Sequence, residues 1–200
     1  MLMKAALILA GGKGARFKGQ RKAYLHLGNK SLLQWVIDAL HPCVDELIIS
    51  GEKELEQFGF PVMEDKICGL GPLAGFHAGF SIISSPYTFV TGCDIPFITP
   101  DVISLLFELA SGYSCCVPRN GSYIEPLCCV YHTRETRECI NEIVTDGKTR
   151  IWDLIHSLPN SRFIPYHMLE TVDPQLLCLK NINNPEDLDS AEDLIKEICP

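Results

Sequence analysis

Residues 5–10 are apolar without interruption, and the run stops abruptly at Gly11. A short continuous apolar stretch bounded by glycine reads as a strand covered on both faces of a sheet. The next periodic stretch is of another kind. Leu32, Leu33, Val36, Ile37 and Leu40 recur at the spacing of one helical face, after a capping-box start at Ser31 with Gln34 at its third place and before Pro42. Together they predict a first βα unit. Residues 47–51 read as a second strand, 52–57 as a short acidic helix, and 60–63 as a third strand ending at Glu64-Asp65. Gly69-Leu70-Gly71-Pro72-Leu73-Ala74-Gly75 is a rigid turn opening a helix with Leu73, Phe76, Phe80 and Ile83 on one face. A buried strand then runs from Tyr87, and its last polar residue is Asp94.

Thr99 caps a further helix with Pro100 at its first place, and the spacing predicts a buried stripe of Val102, Leu105, Leu106 and Leu109. Asp101 is accounted for as a helix-start charge. Residues 113–118 and the stretch leading to Tyr131 predict two more strands. A helix over 133–144 turns Cys139, Ile140, Ile143 and Val144 inward, and another begins at 148–150. Asn181 and Asn183 would share one face of an alternating strand. Asn184 then caps a last helix, with Pro185 at its first place and acids in its first turn. Strands and helices alternate for over half the chain. That predicts one α/β domain over 1–200: a three-layer, Rossmann-like, mostly parallel sheet with helices on both faces and an antiparallel addition after residue 113. Ligands collect at the C-terminal edge of such a sheet.

The loop after the first strand carries the most distinctive chemistry in the chain. Gly11, Gly12, Gly14 and Gly19 let the backbone approach an anion closely and aim several N–H groups at one point, and Lys13, Arg16, Lys18, Arg21 and Lys22 add charge. Walker A spacing is excluded because Gln20, not lysine, comes after Gly19. The dinucleotide fingerprint is excluded because its third glycine would fall on Phe17. At the other strand end, a carboxylate held rigidly at Asp94 can fix Mg²⁺ between itself and nucleotide phosphates. The plainer account of Asp94 is that it only shapes the turn before Pro96.

The formal net charge of −8 argues against nucleic acid or an anionic membrane as a general partner, so an anion must be held by local cations. No apolar run approaches the ~20 residues of a membrane span, and the first residues lack the layout of a signal peptide. A cytoplasmic place is expected. The ten cysteines are scattered through apolar strands and include the neighbours Cys115-Cys116 and Cys128-Cys129. Strand neighbours point to opposite faces, so packing in a reducing compartment explains them better than disulfides or a metal site.

Leu9-Ala10-Gly11-Gly12, Arg16 and Lys22 stand at the spacing of the nucleotidyltransferase signature, and within that superfamily the chain resembles the molybdenum cofactor guanylyltransferases. Gly-Pro-Leu-Ala-Gly at 71–75, Cys-Asp-x-Pro at 93–96, Glu-Pro-Leu at 125–127 and Asn-x-Asn at 181–183 are similar to that family in the same order. Two positions depart from it: Lys18 stands where glycine is usual, and Arg21 where aspartate is usual. The resemblance implies a fold of the nucleotide-diphospho-sugar transferase type. It implies transfer of GMP from GTP to the phosphate of molybdopterin carrying molybdenum, with pyrophosphate released and Mg²⁺ as cofactor. Carried over residue by residue, it makes Arg16, Lys22 and Asp94 catalytic. Leu9, Ala10, Gly11, Gly12, Lys22, Ser50, Asp65, Gly71 and Asp94 would bind the nucleotide, and Asp94 and Asn183 the metal. Gly121 and Glu125 would face the second substrate. Molybdoenzymes or their chaperones are implied protein partners.

The residues themselves leave other accounts open. Asp65 could be a solvated strand-end carboxylate, Glu125 the side chain of an ordinary surface turn, and His77 a histidine at the core edge. Lys148 and Arg150 could meet a phosphate or only solvent. A related transferase using CTP or UTP with a sugar- or alcohol-phosphate acceptor keeps the same fold. So does a GTP-binding regulator without turnover, motivated by Arg21.

Overall fold

The computed structural model describes residues 3–11, 17, 19–64, 67 and 69–198. A central sheet is built from β1 (Lys4–Leu9), β4 (Glu46–Ser50), β5 (Val62–Met63), β6 (Tyr87–Gly92), β7 (Cys115–Asn120), β8 (Tyr123–Ile124), β9 (Cys128–His132) and β10 (Ser161–Pro165). Its order is β10-β7-β9-β6-β1-β4-β5, with β8 paired to β7. β1 pairs in parallel with both β4 and β6, and β4 with β5. β9 is antiparallel to β6 and to β7, while β10 is parallel to β7. Consequently β1, β4, β5, β6, β7 and β10 all end on one edge, and β9 begins there. A small hairpin of β2 (His26–Leu27) and β3 (Lys30–Ser31) lies outside this sheet.

Helices α1 (Leu32–Leu40) and α3 (Pro100–Leu109) cover one face, and α2 (Pro72–Phe80), α4 (Thr133–Thr145) and α5 (Ile151–Ser157) cover the other. The period-2 geometry of the strands divides the core between them. Ala6, Ile8, Ile49, Phe89 and Val130 pack with α1 and α3, whereas Ala5, Leu7, Ile48, Val90 and Tyr131 pack with α2, α4 and α5. Adjacent cysteines are split the same way: Cys116 and Cys128 lie on the α1–α3 side, Cys115 and Cys129 on the other. The eight described cysteines are free. Gly79 lets α2 lie close on β1, because a Cβ there would collide with the Leu7 side chain.

Local signals act as the sequence suggests. Ser31 accepts from the Gln34 N–H and Thr99 from the Val102 N–H, so both caps form. All five apolar residues of the first helical stripe are buried. In α3 the buried face is instead Val102, Ile103, Leu106 and Phe107, with Leu105 and Leu109 only partly covered. The difference is a rotation of the helix that brings the large Phe107 ring against Phe89, 6.4 Å between centroids. Residues 181–183 form no strand, which corrects the alternating-strand expectation. α6 (Pro185–Ile198) begins too soon after them: Asp187 Oδ2 accepts from the Asn183 and Asn184 N–H groups at 2.7 and 3.2 Å, while Asn184 Oδ1 accepts from the Asp187 N–H at 2.8 Å. This reciprocal cap consumes the backbone groups that a strand would need. β10 is not marked by any periodicity, since it has five residues and only Ile164 is fully covered. Among the described residues no helix is long and apolar enough to cross a membrane.

Candidate active site

At the edge where the parallel strands end, β1 is tied to both neighbours just past its last residue. The Ala10 N–H donates to the Ser50 carbonyl at 2.8 Å, and the Cys93 N–H donates to the Leu9 carbonyl at 3.0 Å. These two bonds fix the ends of β4, β1 and β6 in register and so place Ala10, Ser50 and Asp94 along one line of the sheet. Gly92 makes the last step possible: a Cβ there would collide with Asp94 Oδ1, so the carboxylate folds back over a position only glycine leaves clear.

Lys22 begins a short 3-10 helix, Lys22–Tyr24, and reaches this carboxylate from outside the sheet. Its Nζ lies 2.7 Å from Asp94 Oδ2 and 2.9 Å from Asn183 Oδ1. Three segments far apart in sequence therefore meet at one ammonium group. What brings them together is a third, small apolar cluster of Phe17, Leu25, Leu27, Leu32, Ile182 and Ala191, outside the two main cores. Ile182 is fully buried in it, and its N–H donates to the Asp94 carbonyl at 2.8 Å. The Gly28 N–H reaches Glu192 Oε1 at 2.9 Å, binding the hairpin to α6 as well.

Ser50 is 3% exposed, with its hydroxyl packed beneath α2, where a Cβ on Gly75 would stand 2.8 Å from Ser50 Oγ and 2.9 Å from Leu9 Cδ2. Helix and strand end therefore touch only because residue 75 is glycine. Gly71 precedes α2 with φ 55° and ψ −138°, a conformation closed to side-chain-bearing residues. Leu9 and Ala10 are half-buried and Gly11 is exposed at the open edge. Gly12, Arg16 and Asp65 lie outside the described residues, as do Lys13, Gly14 and Lys18.

Arg21, the unusual neighbour of Lys22, pairs with Glu52 and stands 3.7 Å from Glu54, so its charge is directed to the segment after β4. Burial pushes the Cys93 thiol beside Asp94 up to about 12, which disfavours the nucleophilic thiolate there. Among the described residues no three His, Cys, Asp or Glu side chains cluster as a metal site. Asp94 and Asn183 offer one carboxylate and one amide oxygen, hard donors suited to a cation that keeps most of its shell for water and phosphate. Lys148 stands 3.8 Å from Asp146, and Arg150 immediately precedes α5.

Four contributors carry little or no signal in the sequence. Gly92 has a faint one, a glycine two places before a strand-end aspartate. Ile182 and Asp187 have none beyond apolar and capping character, because their roles depend on a backbone bond and a turn. Tyr166, which donates to Glu125 Oε1 at 3.0 Å, is invisible because 41 residues separate the two.

Known proteins share this fold. A family model described as MobA-like NTP transferase domain matches residues 6–161. A probable molybdenum cofactor guanylyltransferase of Pelotomaculum thermopropionicum is 33% identical over 193 residues, covering 96% of this chain and 93% of that protein. A molybdenum cofactor guanylyltransferase of Desulfosudis oleivorans is 32% identical over 193 residues, covering 95% of each. Among solved structures, molybdopterin-guanine dinucleotide biosynthesis protein A from Archaeoglobus fulgidus superposes with a TM-score of 0.82 at 28% identity, covering 98% of this chain and all of that one.

Proposed function

The chain belongs to the MobA-like NTP transferase family, and from that premise we propose that it transfers GMP from GTP to the phosphate of molybdopterin carrying molybdenum, forming a guanine dinucleotide cofactor in the cytoplasm. The observation that carries this reading is the ammonium of Lys22 held between Asp94 and Asn183 at the C-terminal edge of the sheet. Relatives bearing the guanylyltransferase name over almost their whole length support it.

The reaction is an in-line displacement at the α-phosphorus. A phosphate oxygen of the acceptor forms the new P–O bond, and the bond to the β-phosphate oxygen breaks to release pyrophosphate. Both reactants are anions, so repulsion and misorientation are the barriers that the protein must lower. Lys22 has three N–H donors, of which two are directed to Asp94 and Asn183 and a third is left for a phosphate oxygen. Held at two points, the ammonium loses little further freedom when substrate arrives. Gly11 brings its backbone N–H to the same edge, next to Ala10 whose own N–H is held by Ser50, and Gly71 shapes the turn facing it from α2. Asp94 and Asn183 would hold Mg²⁺, which when bound neutralises charge on the triphosphate. Arg16, Gly12 and Asp65 complete the proposed nucleotide contacts, and no side-chain nucleophile is needed.

Mg²⁺-dependent pyrophosphate release from GTP, CTP, UTP and ATP, with and without molybdopterin carrying molybdate, tests the reading. Release from GTP only in the presence of the pterin is expected. Release from CTP or UTP with a sugar phosphate, or tight GTP binding with no turnover under any acceptor, would overturn it.

A further inference from the structure

The Lys22 ammonium is held by Asp94 and Asn183, but the turn that carries its backbone is slight. Lys22–Tyr24 is a single 3-10 turn, closed by the Tyr24 N–H on the Arg21 carbonyl at 3.1 Å and the Leu25 N–H on the Lys22 carbonyl at 3.0 Å, and no side chain caps its start. So short a run does not hold its shape by its own hydrogen bonds. Its support has to come from a neighbouring element.

That element is another 3-10 helix, Lys53–Phe58, which follows β4. The two turns meet at three points. Arg21 pairs with Glu52 and stands 3.7 Å from Glu54. Ala23 and Leu55 are buried in the same core cluster. The Tyr24 and Phe58 rings lie 6.1 Å apart between centroids, and Gln57 Nε2 donates to the Tyr24 hydroxyl at 3.2 Å. Glu52 also leaves from a firm point. The Gly51 N–H donates to the Met63 carbonyl at 3.0 Å, and a Cβ on Gly51 would collide with Leu55 Cδ1 and stand 3.4 Å from the carbonyl carbon of Ala10. The residue before Glu52 is therefore locked against the ends of β1 and β5.

Strand order gives these contacts a direction. β4 and β6 flank β1 on opposite sides. The Lys22 ammonium is tied to Asp94 after β6, whereas Arg21, its backbone neighbour, is tied to Glu52 after β4. The lysine is thus anchored at both ends across β1. Of the three contacts, only the ionic one belongs to the residue adjoining Lys22.

We propose that Arg21 is a positioning residue, which through Glu52 and Glu54 anchors the start of the Lys22 turn to the segment after β4 and so fixes where the ammonium is delivered. Its effect on rate rests on the reading of Lys22 as a donor to the triphosphate. The pair is partly exposed, so it contributes little to the stability of the fold and acts on the aim of one side chain. Arg21 thereby gains a part in turnover without touching a phosphate.

Charge reversal in the full-length protein tests this, read by Mg²⁺-dependent pyrophosphate release from GTP with molybdate-loaded molybdopterin. In Arg21→Glu, repulsion replaces attraction, and kcat is expected to fall about fivefold while the KM for GTP stays within about twofold and the melting temperature within a few degrees. Adding Glu52→Arg restores the opposite charges, and kcat should return to within about twofold of wild type. A second measurement needs no turnover: the rate at which acetic anhydride modifies Lys22, followed by mass spectrometry against the exposed Lys196. That rate should rise about threefold in Arg21→Glu and fall back in the double variant. Wild-type kcat and labelling in Arg21→Glu, or losses that Glu52→Arg does not reverse, would overturn the inference. A raised KM for GTP at unchanged kcat would overturn it too, by making Arg21 a direct phosphate ligand. Labelling that responds and reverses in a protein that turns over no GTP would uphold the anchoring and overturn the guanylyltransferase reading.

Discussion

The backbone N–H of Ile182 donates to the carbonyl of Asp94 across 2.8 Å, and this one bond sets the register between two halves of the site. The next residue, Asn183, thereby brings its amide oxygen to 2.9 Å from the same ammonium that the Asp94 carboxylate holds at 2.7 Å. Lys22 is positioned by the sheet on one side and by the segment before α6 on the other.

Lys22→Ala is expected to lower turnover at least about a hundredfold, the loss usual for a preorganised donor to developing charge. Its melting temperature should stay within a few degrees, because the Lys22–Asp94 pair is partly solvated, with side chains 25% and 21% exposed. Asn183→Ala should cost less, about tenfold, and the double variant should lose less than the two single losses combined, since Asn183 holds the lysine as well as offering a metal donor. Additive losses in steady-state pyrophosphate release would show that Asn183 works independently.

Gly92→Ala adds one methyl where Asp94 Oδ1 now lies. The carboxylate has to turn away from Lys22, and turnover should fall about tenfold or more with little change in circular dichroism. Wild-type rates in this variant would mean that the position of Asp94 is not critical.

Ile182→Ala and Ile37→Ala make a matched pair, both removing a buried side chain, in the small cluster and in the α1 face respectively. Each should cost about 2–4 kcal/mol of stability. Only Ile182→Ala should also reduce turnover per folded molecule, because its cluster holds Asn183 against Lys22. Denaturant melts combined with active-site-normalised rates distinguish the two, and equal rates in both variants would count against that coupling.

Glu125 supplies a pH test of its burial. Its folded-state pKa is raised by desolvation, so the folded chain binds its proton more tightly than the unfolded chain does. Stability of the wild type must therefore fall as pH rises through the ordinary glutamate range toward the raised value. Glu125→Gln carries no such penalty. Its melting temperature relative to wild type should climb between about pH 4 and neutrality and then level off. A difference independent of pH would show that the carboxylate is well solvated.

Much of the architecture is legible because it is written in local periodicity. The apolar run at 5–10, the stripe of α1 and the Ser31 and Thr99 caps each need only their own neighbours to form. Splitting of Cys115 from Cys116 and Cys128 from Cys129 comes from strand geometry alone. The orientation of α3 is not legible in this way, because Ile103 and Phe107 are as apolar as Leu105 and Leu109, and only the partner surface chooses between them. The strand expected at Asn181 and Asn183 loses to a cap, since Asp187 takes the N–H groups of Asn183 and Asn184.

By itself the sequence determined which residue types could do this chemistry: a glycine- and cation-rich turn after the first strand, one aspartate at a strand end, and an Asn-x-Asn ahead of the last helix. Their order also marked the family that the chain belongs to. Only the tertiary structure decided that Lys22, Asp94 and Asn183 meet, that Gly92 clears room for the carboxylate, and that Tyr166 reaches Glu125. The reason is physical. Residue type and periodicity are encoded within a few positions, whereas a contact across the fold depends on packing of Ile182 and its neighbours, which no local pattern specifies.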